Sequence, residues 1–154
     1  MPPPTAAPAS VFSEATDTLY IYGGMMLVEE LGYWKLETSN RLYALDVDSR
    51  EWRLLSPGGE QPPPSEKGTG WEYGGDFWIF GGYSHHTVPR GTEDSHEVAE
   101  DPQSDGGWSN SLVCYSPGDH RYLTPRTRGR APCPRAGSAS CVSGHQAGPI
   151  FIYS

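Results

Sequence analysis

Apolar residues in this chain occur in short runs rather than in long amphipathic stretches. Runs rich in aromatic and β-branched side chains stand at 19–22 (LYIY), 77–80 (FWIF) and 150–153 (IFIY). The first two close on a glycine pair, and the third stops where its pair would stand. Short apolar runs of this composition, bounded by glycine, predict buried β-strands.

A long internal repeat organises the chain. The segment from Asn40 aligns with the segment from Asn110 without gaps, at a constant offset of 70 residues. A period this long, built from β-type runs, is typical of a propeller in which each repeat is one blade. We therefore predict an all-β fold, an incomplete β-propeller with roughly two and a half blades of four-stranded antiparallel sheet. The aligned pairs include Leu42 with Leu112, Leu45 with Tyr115, Trp52 with Tyr122 and Pro64 with Pro134.

The repeat also gives the predicted blades local detail. Trp52 and Tyr122 are expected to pack between blades, since a blade can bury its faces only against its neighbours. The segments 48–50 and 116–119 carry turn residues and are expected to close the outer hairpins. Residues 18–154 are assigned to the partial propeller, and the Pro- and Ala-rich residues 1–17 are expected to be irregular.

A closed ring needs more blades than this chain contains. An open stack of sheets exposes strand edges and apolar faces, which predicts self-association. We accordingly expect the chain to be a fragment or a shortened isoform that ends partway through a strand.

Charge and hydropathy exclude several classes of partner. The formal net charge is −8 and no basic stripe is present, so no nucleic-acid partner is predicted. No apolar run approaches the roughly 18 residues of a membrane helix, and the N-terminus lacks the basic and apolar regions of a signal peptide. We expect no membrane association and a cytoplasmic or nuclear location. The three cysteines show no C-x-x-C pair, which favours reduced thiols.

Two long insertions, 25–39 and 83–109, interrupt the repeat, and such loops commonly carry binding function. The second holds acidic residues and histidines, but no metal-ligand spacing recurs, so neither a metal nor another cofactor is predicted. The chain also lacks a phosphate-binding loop and a nucleophile elbow, which favours a binding protein over an enzyme. The residues of the second insertion concerned are Glu93, Asp94, Glu97, Glu100, Asp101, Asp105, His85, His86 and His96.

Lys67, Tyr83 and Trp108 are the candidate peptide-binding residues, because each lies at a blade or loop boundary. Two aromatic rings supply rigid contact area, and an ammonium group pairs with a carboxylate, which suits an extended peptide. A purely structural alternative remains open for each residue. Lys67 beside Glu66 is then a solvated charge, Tyr83 caps its strand, and Trp108 belongs to the core.

The order of strands, glycine pairs and anchor aromatics from about residue 18 onward resembles the kelch motif. Within the kelch-repeat propellers, the segments 64–68 (PSEKG), 80–83 (FGGY) and 107–110 (GWSN) resemble the group of kelch domain-containing protein 2 and its paralogues. The resemblance implies a substrate-recognition subunit of a cullin-2 RING ubiquitin ligase that binds C-terminal glycine degrons. It also implies that Lys67, Tyr83 and Trp108 help to line the degron pocket.

Two departures from that group limit what the resemblance implies. Its members hold the peptide carboxylate chiefly with arginines of a loop that would follow Ser154, and their C-terminal box recruits elongin and cullin-2. We therefore expect cullin-2 and elongin as partners only in a longer form. The alternative is a general kelch scaffold that binds a cytoskeletal or regulatory partner through its acidic loop.

Overall fold

The computed structural model describes residues 2–84, 107–143 and 149–153, and every regular element in these ranges is a β-strand. No helix in these ranges is long and apolar enough to cross a bilayer. The strands are β1 (Thr5–Ala6), β2 (Ala9–Ser13), β3 (Thr18–Tyr22), β4 (Met25–Glu30), β5 (Tyr33–Thr38), β6 (Leu42–Asp46), β7 (Glu51–Leu55), β8 (Thr69–Tyr73), β9 (Asp76–Phe80), β10 (Tyr83–Ser84), β11 (Gly107–Trp108), β12 (Leu112–Ser116), β13 (Arg121–Leu123), β14 (Ala139–Val142) and β15 (Ile150–Tyr153).

Two four-stranded antiparallel sheets and the start of a third follow one another along the chain. The first sheet has the order β2-β3-β6-β7, and the second has the matching order β8-β9-β12-β13. The third consists of β14 and β15, which pair as β8 and β9 do. This arrangement confirms the predicted all-β fold of repeated four-stranded sheets. The 70-residue offset relates β6 to β12 and β7 to β13, and turns close both hairpins as expected.

The N-terminal boundary placed at residue 17 requires a correction. Residues 1–17 were expected to be irregular, yet β2 pairs along its whole length with β3 and forms one edge of the first sheet. Its alternating burial, with Ala9 and Ser13 inside, comes from small side chains that give a weak apolar signal in the sequence. The propeller repeat therefore begins before Thr18.

The core lies between the first and second sheets rather than within either one. Tyr20 of the first sheet stacks on Phe77 of the second at 6.1 Å between ring centroids and meets Tyr115 edge-on at 5.7 Å. Tyr22 likewise meets Tyr122 edge-on at 6.4 Å. Aromatic pairs of this geometry add roughly 0.5–1.5 kcal/mol each to the free energy of burying their surface. The inter-sheet aromatic contacts therefore hold adjacent sheets face to face.

The two anchor aromatics differ in their surroundings. Tyr122 is buried against the first sheet, which confirms that it packs between blades. Trp52 occupies the equivalent position in the first sheet and is only half-buried.

The two insertions leave equivalent points of the first and second sheets. The first insertion folds into the β4–β5 hairpin, to which β1 adds as a third strand. Of the second insertion, the structure describes the short β10–β11 pair at its base. The acidic residues and histidines of the second insertion that the sequence analysis singled out, at 85–105, lie outside the described residues. Within the described ranges, no group of three or more metal-binding side chains comes together.

Candidate functional site

A closed set of backbone hydrogen bonds fixes the base of the first insertion against the second sheet. The Gly24 amide donates to the Ser65 carbonyl at 2.8 Å, the Ser65 amide to the Ser39 carbonyl at 3.1 Å, and the Ser39 amide to the Gly24 carbonyl at 2.8 Å. Gly23 and Gly24 both have positive φ values, of 71° and 88°, that glycine adopts readily. The glycine pair therefore ends the strand and positions the connection to the next sheet.

The same set of bonds recurs at the base of the second insertion. The Gly82 amide donates to the Arg135 carbonyl, the Arg135 amide to the Ser109 carbonyl, and the Ser109 amide to the Gly82 carbonyl, each at 2.9 Å. Paired backbone groups are satisfied without water, so both bases are rigid platforms for whatever the insertions present. Residues at the two bases are thus held in fixed positions beside the gap between sheets.

Tyr83 and Trp108 come together at the second base. They are direct partners in the β10–β11 pair, and their rings meet edge-on with 6.5 Å between centroids. Tyr83 also exchanges backbone hydrogen bonds of 2.8 Å in both directions with Glu66. Trp108 is 64% exposed, so its ring is available to a ligand and is not part of the core.

Lys67 lies next to this pair, and its backbone and side chain both make contacts within the fold. Its amide donates to the Ala7 carbonyl at 2.7 Å, and its carbonyl accepts from the Gly137 amide at 2.8 Å, so its backbone links three successive repeats. Its Nζ lies 3.2 Å from Oε1 of Glu66, a carboxylate with 1% side-chain exposure. Leaving a buried carboxylate without its cation is costly, so the Lys67 ammonium group is held in the ion pair with Glu66. Capture of a peptide carboxylate by Lys67 would compete with this contact.

A cleft of about 450 Å³ opens beside Trp108, between the first and second sheets. One wall is the connection 62–65, and the other is the segment 107–111 that contains Trp108. None of the described lining residues carries a charge, so the cleft suits the backbone and uncharged side chains of a peptide rather than a free ion. The remaining lining residues are Tyr22, Ile79, Gly81, Ser84 and Val113.

Tyr22 holds one wall of the cleft in place. Its hydroxyl donates to the Pro63 carbonyl at 2.9 Å, and the Asn40 side-chain amide donates to the neighbouring Pro62 carbonyl at 3.4 Å. Burial, with a smaller contribution from Tyr122, raises the pKa of Tyr22 far above its usual value, so the hydroxyl stays protonated. The proline-rich wall is therefore preorganised for binding.

Ser84 supplies a polar group to the same cleft. Its hydroxyl oxygen is buried and has no hydrogen-bond partner among the described residues. A buried hydroxyl without a partner favours a ligand that brings one, such as a peptide carbonyl or amide.

Of the three site residues predicted from the sequence, Trp108 lines this cleft, and Tyr83 and Lys67 do not. Tyr83 supports Trp108, and Lys67 lies behind them on Glu66. The proline wall and Ser84 were not predicted as site residues. The unusual run of three prolines at 62–64 was the available signal, because prolines give a connection a fixed shape.

Comparison with known proteins places these features in a family. The family model described as the KLHDC2/KLHL20/DRC7 Kelch-repeats domain matches residues 1–153. Kelch domain-containing protein 1 of Homo sapiens is 30% identical over 141 residues, which are 86% of this chain and 32% of that protein. Its counterpart in Mus musculus is 29% identical over the same shares. The chain thus spans about a third of the length of these curated relatives.

Two further comparisons concern a local segment and the fold. Multiple epidermal growth factor-like domains protein 8 of Rattus norvegicus is 40% identical over 65 residues, which are 40% of this chain and 2% of that protein. The solved structure of YjhT superposes with a TM-score of 0.62 at 17% identity, covering 99% of this chain and 34% of that one. At this level of identity the likeness shows a shared fold. The match with residues 1–153 also includes β2, in agreement with the corrected N-terminal boundary.

Proposed function

This chain belongs to the kelch-repeat family of the KLHDC2/KLHL20/DRC7 type, and from that premise we propose that the cleft beside Trp108 binds an extended protein segment. Kelch repeats of this family form protein-interaction scaffolds. The observation that carries the proposal is the joint position of the cleft and the ring, since Trp108 is 64% exposed on a backbone-anchored strand pair at the edge of an uncharged cleft. Exposed rigid aromatic side chains beside a preformed cleft are frequent anchors of peptide binding.

The described lining suggests how such a segment is held. Pro62–Ser65 and Gly107–Ser111 form two walls along which an extended backbone fits, and the Ser84 hydroxyl supplies one hydrogen bond. Trp108 covers an apolar side chain of the peptide from one end. The mode is binding without chemistry, so we propose a recognition module rather than an enzyme.

We further propose that the recognised segment is a protein C-terminus ending in glycine, within a substrate receptor of a cullin-2 RING ubiquitin ligase. Glycine has no side chain, so the backbone at such a C-terminus can lie directly against the proline-lined wall of the cleft. The cleft lining that the structure describes is uncharged, so the terminal carboxylate must be met by a cation outside it. Lys67 fills that role only by sharing its ammonium group with Glu66.

Fluorescence anisotropy with a labelled ten-residue peptide ending in glycine tests the proposal. The titration is run on the 154-residue chain and on the longest product of its gene, with the C-terminal amide of the same peptide as the control ligand. Trp108→Ala should weaken binding about 30-fold, the effect of losing an aromatic anchor that contributes about 2 kcal/mol. Trp34→Ala is the matched control, because Trp34 is also 64% exposed but lies outside the cleft.

Three results separate the parts of this proposal. Loss of affinity in Trp108→Ala but not in Trp34→Ala supports peptide binding at the cleft. Equal affinity of the longest product for the acid and the amide contradicts recognition of a glycine-ended C-terminus and supports a general peptide-binding scaffold. Unchanged affinity in Trp108→Ala contradicts the site itself.

A further inference from the structure

The β4–β5 hairpin presents an apolar face to solvent. Leu27 of β4 lies directly opposite Leu36 of β5, and the two are 53% and 54% exposed. Trp34, two residues from Leu36 on the same side of the strand, is 64% exposed. Single exposed apolar residues are ordinary, but three on one face of a projecting hairpin form a contiguous patch.

The opposite face of the hairpin is occupied by ion pairs. Lys35 bridges Glu30 and Glu37, with 2.6 Å between its Nζ and Oε1 of Glu37. These side chains alternate with those of the apolar face, so the charges point away from it. The hairpin is thus amphipathic. The charges on one face are paired within the hairpin, and the apolar side chains on the other face are exposed to solvent.

Glu29 breaks the apolar face at one position. It is exposed, lies directly opposite Trp34 in the strand pair, and forms no ion pair within the described part of the chain. Directly opposite side chains in an antiparallel pair have Cβ atoms about 5 Å apart. A carboxylate beside an indole ring attracts a cation twice, through the ion pair and through the ring face.

We propose that this face of the hairpin, defined as Leu27, Glu29, Trp34 and Leu36, binds an extended peptide that carries one arginine between apolar side chains. The arginine lies over Trp34 against Glu29, and the flanking apolar side chains cover Leu27 and Leu36. In the described part of the chain β5 pairs with β4 alone, and the same peptide can add as a further strand along the other edge of 33–37. Charge complementarity selects this occupant, because the hairpin has three carboxylates and only one ammonium group.

The surface is separate from the cleft beside Trp108. None of its four residues lines that cleft, and the hairpin rises from the first sheet whereas Trp108 belongs to the second insertion. A second partner could therefore bind while the cleft is occupied.

Isothermal titration of the 154-residue chain tests the proposal with a defined probe. The probe is an amidated hexapeptide in which leucine, arginine and leucine alternate with threonine, so that the three side chains share one face. Its control replaces arginine with citrulline, which keeps the shape and removes the charge. We expect the arginine peptide to bind about fivefold more tightly than the citrulline peptide, the size of an exposed cation–π contact plus an exposed ion pair.

Variants on the hairpin and on β7 assign the effect to residues. Glu29→Gln should reduce the fivefold preference for arginine, and Trp34→Ala should weaken binding of both peptides. Leu54→Ala and Glu51→Gln are the matched controls on β7, where Leu54 is 56% exposed, and they should change nothing. Circular dichroism verifies that each variant keeps its sheet content.

Several outcomes would overturn the proposal. These are no binding at millimolar peptide, equal affinity for the two peptides, or the same loss of affinity in the β7 controls. A concentration-dependent dimer that Trp34→Ala abolishes would instead assign the face to a second copy of the chain. A failure here leaves the cleft proposal standing, because the cleft is tested with the glycine-ended peptide and the hairpin face with the arginine and citrulline peptides.

Discussion

The glycine pairs that follow the second strand of the first and second sheets give a quantitative test of how these sheets pack. Gly23 has φ of 71°, and a Cβ atom at this position would overlap the carbonyl oxygen of Ser65, which leads into the second sheet. Gly75, in the β8–β9 turn, has φ of 84° and open space around its missing Cβ. Both positions penalise alanine for its backbone angle, but only Gly23→Ala also collides with a neighbouring repeat.

The cost of each variant follows from these contacts. Gly75→Ala carries only the left-handed strain, about 1 kcal/mol in the free energy of unfolding. Gly23→Ala adds a forced shift of the Ser65 segment, about 1–3 kcal/mol. The Ser65 carbonyl also accepts the Gly24 amide, and loss of that bond adds about 1 kcal/mol. We therefore expect Gly23→Ala to cost at least about 2 kcal/mol more than Gly75→Ala.

Urea unfolding followed by tryptophan fluorescence measures the difference. With a slope of about 2 kcal/mol per molar urea, the midpoint of Gly23→Ala should lie at least about 1 M below that of Gly75→Ala. The slopes should agree between the two variants, since each unfolds the same surface. Midpoints within about 0.2 M of each other would refute the close approach of the Ser65 connection to the first sheet.

Two further predictions concern buried hydroxyl and thiol groups. Tyr22→Phe should lower the free energy of unfolding by about 1 kcal/mol, because the Tyr22 hydroxyl donates to a proline carbonyl. Tyr122→Phe should leave the free energy of unfolding unchanged, because the Tyr122 hydroxyl has no partner among the described residues. Equal urea midpoints for the two variants would contradict this prediction. Burial raises the pKa of the Cys114 thiol to about 12, so a thiol reagent at pH 8 should modify exposed Cys133 and Cys141 in the native chain and Cys114 only after unfolding. Because the pKa of Cys114 is higher in the folded chain than in the unfolded chain, the protonated thiol favours the folded state. This contribution to the free energy of unfolding is complete below about pH 8.5, the usual thiol pKa, and declines as the pH rises from there towards 12. The urea midpoint should therefore be lower at pH 10 than at pH 8.

The sequence predicted the repeated elements because one pattern of apolar runs, turns and glycine pairs recurs along the chain. The 70-residue offset joined β6 to β12 and β7 to β13, and the structure gives each pair the same place in its sheet. Tyr122 was expected between blades because a blade can bury its faces only against its neighbours, and it lies there against Tyr22. Period and composition sufficed for these features, since each blade repeats one pattern of strands.

Two strand regions escaped prediction for physical reasons. Strand β2 was missed because small residues and nearby prolines hide its alternation, and its identity is set by pairing with β3. The first insertion was interpreted as a loop, yet it contains an apolar run at 25–28, a Leu31-Gly32 turn with positive φ at both positions, and Trp34 and Leu36 alternating with charged residues. That pattern is typical of a hairpin and was a readable signal.

Of the residues that line the candidate cleft, the sequence singled out Trp108, and neither Tyr22 nor the shape of the cleft was predicted. Tyr83 and Trp108 stand 25 positions apart in the sequence, and their ring contact depends on the β10–β11 pairing across the insertion. The proline wall of the cleft belongs to a connection between sheets, whose position is fixed by tertiary hydrogen bonds at Ser65. Such contacts are encoded in the assembled fold rather than in any local motif.

Photocrosslinking tests most directly whether the cleft beside Trp108 is where this chain meets a protein segment. A glycine-ended peptide with a photoreactive phenylalanine analogue two residues before its end is irradiated with the chain and mapped by mass spectrometry. We predict crosslinks concentrated in 62–65 and 107–111, the two walls of the cleft. Crosslinks confined to the hairpin at 25–38 or to β13, with the cleft walls unmodified, would contradict the assignment of the cleft as the recognition site.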